Sequence, residues 1–325
     1  MHALWILLGI AAALILLLLL IAFICFYITF YVPEGQKKPK EEFPFPPGDI
    51  YVPFHGQMRT WMQEARELPF EAVSIRSFDG LTLRGKYYEY APGAPIELML
   101  HGYRGNAERD LCGGIQRCFS LGRNVLIVDL RASGDSEGHV ITFGVKESRD
   151  CRAWIDFILT RFGPESRIVL TGISMGAATV LMTAGGELPD NVVGVLADCG
   201  FTSARDIIQK TIREMKLPVA LAYPFVKLGA RLYGGFDLEA TPPVEAVKHC
   251  RVPVIFIHGE ADDYVPCEMS RQNFAACVAP KALVTVPHAG HGMAYLVDPE
   301  GYLDALSAFF TENGVYTART NQICR

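Results

Sequence analysis

The chain has 325 residues, half of them apolar, and a formal net charge of −5. That length admits one large domain with appendages, the apolar half is ample for a core, and the acidic balance gives no reason to expect nucleic acid as a partner. Nine cysteines without a repeating framework, and no Cys/His set at zinc-ligand spacing, read as buried thiols in a reducing compartment rather than a disulfide scaffold or a metal knuckle.

Residues 3–32 form an apolar run without a charge. As a helix it is about 45 Å long, more than the roughly 30 Å hydrocarbon core of a bilayer. Trp5 lies near one end and Tyr27 and Tyr31 near the other, where interfacial anchors belong. A cleaved signal peptide fits less well, because the run is too long, no Lys or Arg precedes it and no small-x-small site follows. Residues 33–70 read as a proline-rich spacer off the membrane followed by a short amphipathic helix, with Met58, Trp61, Met62, Ala65 and Leu68 at helical spacing. Packing is the simplest use of Trp61.

From residue 71 to 313 short β-branched runs alternate with helical patterns. Residues 72–78 and 81–90 are strands joined at Asp79-Gly80, a hairpin signal. Residues 96–100 are a third strand ending at His101-Gly102-Tyr103. A helix over 106–121 follows, with a weak point at Gly113-Gly114, then a strand over 125–129 and an amphipathic helix over 146–162. Arg167 to Leu170 is a buried strand that turns at Gly172-Ile173-Ser174-Met175-Gly176 into a helical Ala177-Ala178-Thr179 run. Strand, sharp turn and helix with Gly-x-Ser-x-Gly at the corner is a nucleophile elbow, in which a Cβ on either glycine would collide with neighbouring backbone.

A strand over 192–197 ends at Asp198. Residues 201–250 interrupt the alternation with helices over 203–215 and 219–232. Strands then recur at 254–258 and 282–286. The first leads to Asp262 and Asp263, the second to His291 between Gly290 and Gly292. Helices over 268–278 and 299–310 flank these strands, and residues 314–325 read as a frayed polar tail.

His101-Gly102-Tyr103, the loop from Asp129 to Ser136, the Ser174 elbow, the Ala197-Asp198-Cys199-Gly200 corner, His258-Gly259-Glu260-Ala261-Asp262 and Gly290-His291-Gly292 together resemble the α/β-hydrolase superfamily, and within it bacterial membrane-anchored esterase or serine-aminopeptidase-like hydrolases. The resemblance covers about three quarters of the chain. Ala132 departs from it, where glycine is commoner. It implies a mostly parallel eight-stranded sheet flanked by helices, with 201–250 as a small helical cap. Ser174 is then the nucleophile, His291 the base, and Asp262 the acid, ahead of Asp263 and Asp198. The N–H groups of Tyr103 and Met175 form the oxyanion hole. His101 supports its loop, and Asp129 and Arg131 shape theirs. No metal or organic cofactor is implied.

The function expected is that of a membrane-tethered serine hydrolase of a carboxylic ester or similar acyl bond. Its partners are a partly apolar small-molecule acyl substrate and the bilayer. An amidase or peptidase on the same residues, or a non-catalytic binding protein, remains open. The apolar content between Leu217 and Tyr233, Phe225 and Leu221 included, marks the cap as the selector of an apolar acyl group. Lys37, Lys38 and Lys40 follow the apolar run and no cation precedes it, which with the cysteine inventory places the hydrolase domain in the cytoplasm.

Overall fold

In the computed structural model, which describes residues 1–315, the helical and strand patterns settle into nineteen elements among those residues. In chain order these are α1 (His2–Thr29), α2 (His55–Glu67), β1 (Glu71–Arg76), β2 (Thr82–Tyr88), β3 (Ile96–Leu100), α3 (Ala107–Ser120), β4 (Asn124–Val128), α4 (Glu147–Phe162), β5 (Ile168–Ile173), α5 (Met175–Ala184) and β6 (Val192–Asp198). Then come α6 (Ala204–Glu214), α7 (Val219–Leu232), α8 (Pro243–Ala246), β7 (Val254–Gly259), α9 (Cys267–Ala276), β8 (Lys281–Val286), α10 (Ala294–Val297) and α11 (Pro299–Glu312).

The eight strands form one sheet in the order β1-β2-β4-β3-β5-β6-β7-β8. β2 is antiparallel to both its neighbours, and the pairs from β4 through β8 are parallel. Parallel strands end at one edge, so the loops after β3, β5, β7 and β8 meet there, where open α/β sheets place their sites. Every residue of β3, β4 and β7 is buried, as strands covered on both faces should be. Side chains of α4, α5 and α9 join the core on one face; α2, α3, α10 and α11 cover the other.

One member of β3 is not apolar. Glu97 is fully buried and accepts from Arg117, from Arg123 Nη1 at 2.7 Å and from Thr171 Oγ1 at 2.7 Å. Burial alone would raise its pKa, but the two guanidinium groups hold it down at about 2. Removing a single partner from such a buried set costs on the order of 3–5 kcal/mol, because a charge is left uncompensated.

Two readings of the N-terminal and insertion segments need correction. Residues 33–54 are not a free spacer. Val32 N donates to His139 O and Ile141 N to Phe30 O, so the chain leaving α1 pairs with residues 139–141. Lys37 O then accepts from Gly134 N, the Phe43 ring lies under Arg66, and Phe45 stacks on His55 at 3.9 Å. The aromatic residues of this stretch supply enough apolar area to dock it along the domain, which the prolines alone do not reveal.

The insertion 201–250 was expected to cover the site. Instead α7 packs along the second half of α1: a Cβ on Gly229 would stand 2.5 Å from Ala22 O, and Phe236 meets Phe30 edge-on at 5.3 Å. Part of the insertion's apolar surface serves that contact, while Leu221 and Leu232 stay exposed. The tail reading also fails at its first residues, since Val315 is buried and Gly314 O accepts from Arg167. Residues 316–325, Cys324 among them, lie outside the described residues.

Candidate active site

The elbow forms as its glycines require. Ser174 sits between β5 and α5 with φ 56° and ψ −115°, a combination costly for a residue with a side chain. A Cβ on Gly172 would lie 2.1 Å from Gly176 C, and one on Gly176 would lie 2.1 Å from Leu100 O. Neither atom can move, because each belongs to a central strand or to the first turn of α5. Ser174 N donates to Asp198 O at 2.8 Å, which ties the corner to β6.

The loop after β7 presents Asp262, fully occupied by hydrogen bonds. Its Oδ1 accepts from Tyr264 N at 3.0 Å and Val265 N at 2.8 Å. Its Oδ2 accepts from His291 Nδ1 at 2.7 Å and His258 Nε2 at 3.1 Å. Burial would raise this carboxyl, yet the two imidazoles hold it down at about 2. In the sequence His258 stood at a strand end and in the motif that leads to Asp262, with no role of its own. It is fully buried, and its Nδ1 accepts from Ser270 Oγ at 2.7 Å while Nε2 also faces Val265 O at 2.8 Å. That arrangement assigns the proton to Nε2, so His258 donates to Asp262 and props it toward His291.

Among the three acids considered, Asp262 alone bonds His291. Asp198 is buried and accepts from Tyr302 Oη at 2.8 Å. Burial raises its pKa, partly offset by Tyr302. Asp263 lies at the rim of the cavity. With Nδ1 engaged, His291 has Nε2 available to the cavity that Ser174 also lines. The structure places no hydrogen bond between that nitrogen and Ser174 Oγ, a spacing that often closes only around substrate.

Met175 is the first residue of α5, so its N–H has no intrahelical carbonyl to meet. Tyr103, the other expected oxyanion residue, lines the same cavity from the loop after β3. That loop is anchored from below and from the side. Fully buried His101 accepts from Leu130 N at 3.0 Å, and its Nδ1 meets Gly102 O at 2.8 Å, the supporting role expected of it. Tyr103 Oη donates to Thr29 O at 2.7 Å, and Arg104 Nη2 donates to Ile28 O and Tyr31 O. The C-terminal carbonyls of α1 are therefore capped by the rim of the site. In the neighbouring loop Asp129 accepts from Ala107 N and Asp135 N, Arg131 pairs with Asp150 and Asp79, and Ala132 takes the positive φ (62°) that glycine would have supplied.

The cavity has a volume of about 660 Å³ and none of its lining comes from 201–250. Lys210 of α6 reaches only the rim, donating to Asp263 O. The cover is the docked linker, Pro46 to Tyr51, with Met58 and Trp61 of α2. Tyr51 Oη donates to His291 O at 2.8 Å, so this cover also holds the histidine loop. Gly113 is no weak point: α3 is continuous there, and a Cβ on Gly113 would lie 2.5 Å from the Trp61 ring. Trp61 thus lies on α3 and stacks on Tyr295 at 5.5 Å while facing the cavity. The sequence signal for this wall was the Gly113-Gly114 pair, read as weakness rather than as close approach. Arg117 and Tyr302, at the inner wall, carried no signal at all, and Asp198 beside them was considered only as an acid.

Cys199, Asp262 and His291 are the one set of three possible metal donors close together among the described residues, their donor atoms within 4.8 Å of one another. The carboxylate and imidazole already bond each other, and burial pushes the Cys199 thiol well up, so the set lacks the deprotonated sulfur a metal would need.

A linkage prediction follows from Asp262. Its pKa falls from 3.8 in the unfolded chain to about 2, so its stabilisation is complete above the unfolded value and is lost as pH drops through the folded one. The contribution is on the order of 2 kcal/mol. In Asp262→Asn the unfolding free energy, measured by denaturant titration, should fall less steeply between about pH 4 and about pH 2, the remaining slope coming from other depressed carboxyls such as Glu97. An unchanged slope would show that Asp262 is not held ionised by His258 and His291.

A family model described as alpha/beta hydrolase family matches residues 98–305. The chain is 30% identical over 241 residues to the uncharacterized protein YqkD of Bacillus subtilis, covering 73% of this chain and 78% of that one. It is 26% identical over 259 residues to protein bem46 of Schizosaccharomyces pombe, covering 77% and 79%. Among solved structures, an esterase of Pyrococcus furiosus superposes with a TM-score of 0.63 at 24% identity, covering 83% of this chain and 96% of that one. Est1E of Butyrivibrio proteoclasticus, with ferulic acid bound, gives 0.58 at 20% identity, covering 74% and 98%. The structural likenesses speak for the fold. The sheet order, the serine at its elbow and the family match over most of the sequence agree, and the chain belongs to the alpha/beta hydrolase family.

Proposed function

We propose that this hydrolase is a membrane-tethered serine esterase, cleaving a carboxylic ester through an acyl-enzyme. The observation that carries the reading is the 2.7 Å bond from His291 Nδ1 to Asp262, made where His291 and the strained Ser174 line one cavity. Ser174 Oγ attacks the carbonyl carbon and His291 Nε2 takes its proton. The negative oxygen sits at the N–H groups of Tyr103 and Met175, each such donor being worth roughly 3 kcal/mol. Collapse expels the alcohol, which receives the proton from His291. Water then repeats the sequence and frees the acid. Asp262 stays ionised throughout and stabilises the imidazolium.

Ser174→Ala should abolish labelling by a fluorophosphonate and reduce ester turnover on the order of 10³-fold or more. A folded Ser174→Ala protein that still labels would remove Ser174 from its role. Ester and amide substrates of matched acyl group, assayed side by side, separate an esterase from an amidase on the same residues.

The selection of an apolar acyl group passes from the insertion to the cover of the cavity. Trp61→Ala should reduce kcat/KM for medium-chain esters more than for acetyl esters, on the order of tenfold, as expected for losing one apolar wall. Leu221→Gln, outside the cavity, should leave that ratio alone. If Leu221 moves the ratio and Trp61 does not, the insertion is the selector after all.

The tether is α1, long and apolar enough to cross a membrane. Support for a cytoplasmic domain is the lysine bias after α1 and the eight described cysteines, all free thiols. A membrane-impermeant maleimide on intact cells, with Glu187→Cys as an exposed reporter, should label only after permeabilisation. Labelling of intact cells would put the domain outside.

A further inference from the structure

Residues 2–18 of α1 are exposed on every side. At 1.5 Å per residue they span about 25 Å, about 5 Å less than the roughly 30 Å hydrocarbon core. The free part of the helix is therefore too short to cross alone. From Leu19 onward one stripe of α1, with Ala22, Phe26 and Phe30 buried, lies against the domain. The opposite stripe, Phe23, Ile24, Tyr27 and Ile28, stays exposed. The bilayer must reach the level at which the domain begins.

The element at that level is the end of α7. It runs antiparallel to α1: Gly229 meets Ala22 and Phe26, and further along Tyr233 Oη donates to Leu19 O at 3.1 Å while its ring packs edge-on against Phe23 at 5.3 Å. Beyond that contact the tip is open and apolar. Leu232 is 52% exposed and Tyr233 39%. Arg231 beside them is exposed and long enough to reach lipid phosphates.

We propose that the turn ending α7, residues 231–235, is a second membrane contact, seated in the headgroup and upper acyl region of the leaflet from which α1 emerges. Its occupant is the lipid bilayer, because the length of α1 brings lipid to that depth and the tip is continuous with the helix that crosses. Two contacts fix how the domain stands on the membrane, where one helix would leave it free to swivel. The rim of the cavity follows. Tyr103 and Arg104 bond the carbonyls of Ile28, Thr29 and Tyr31, which lie about 10 Å beyond Ala22 along α1. The mouth is held near headgroup height, and the substrate class it suits is an amphiphilic ester partitioned into the leaflet. The tip's placement rests on α1 as the tether, and the substrate class also rests on the esterase reading.

The test uses the full chain in phosphatidylcholine nanodiscs, with an environment-sensitive NBD fluorophore on single introduced cysteines and nitroxide-labelled lipids as quenchers. The parent protein's own thiols supply the background. Leu14→Cys reports the tether, Leu232→Cys the tip, and Leu221→Cys, about 16 Å back along α7, the water side. The expected result is that the probes at 14 and 232 lose most of their emission and the one at 221 loses little. Strong quenching at 14 with background quenching at both 232 and 221 would overturn the proposal while leaving the tether intact. Background quenching at 14 would overturn the tether and the proposal together. None of these readouts depends on catalysis, so they stand apart from the fate of the esterase reading.

Discussion

The contact on which the rest of the site depends is backbone against backbone. Gly176 passes so close to Leu100 O that a single Cβ would stand 2.1 Å away, and Gly172 is as close to Gly176. That approach joins the ends of β3 and β5 to the start of α5. It puts Tyr103, Ser174 and Met175 within one corner, and it forces Ser174 into a backbone conformation that only surrounding structure can impose. Neighbouring strands add their ends to the same edge, bringing Asp262 and His291 in from loops 29 residues apart.

Around this corner the protein uses an unexpected set of supports. His258, at the end of β7, holds Asp262 from behind, and Tyr51, from the docked linker, holds the His291 loop from the front. The loop after β3 leans on α1 through Tyr103 and Arg104. The segments before the sheet are thus structural parts of the site: the linker lines the cavity, and α1 offers the loop after β3 the end carbonyls that have no partner within the helix. The rim of the cavity therefore cannot shift far without disturbing the end of α1. The insertion after β6, whose apolar residues pointed to a lid, packs beside α1 instead.

What the sequence determined by itself is what short-range pattern encodes. Alternating strands and helices from residue 71 onward, the glycines that only an elbow requires, and the apolar length of α1 all follow from local sterics and hydrophobic spacing. The order Ser174, Asp262, His291 pointed to the residues that the loops bring to one edge, because a parallel sheet delivers strand ends there whatever the loops contain. Even Ala132 held the fold with the positive φ usually left to glycine.

Tertiary structure decided everything that depends on which apolar surface meets which. Phe43, Phe45, Tyr51 and Trp61 could have faced solvent, lipid or protein, and nothing in their spacing separates these. They dock on the sheet's α3 side, where Tyr51 and Trp61 line the cavity, while α7, equally apolar, packs along α1. Likewise Glu97 can be buried in β3 only because Arg117 and Arg123 arrive from 20 and 26 residues away to neutralise it. Burial is a property of pairs of surfaces, and charge compensation of pairs of residues distant in sequence, so neither is written in any one stretch of the chain.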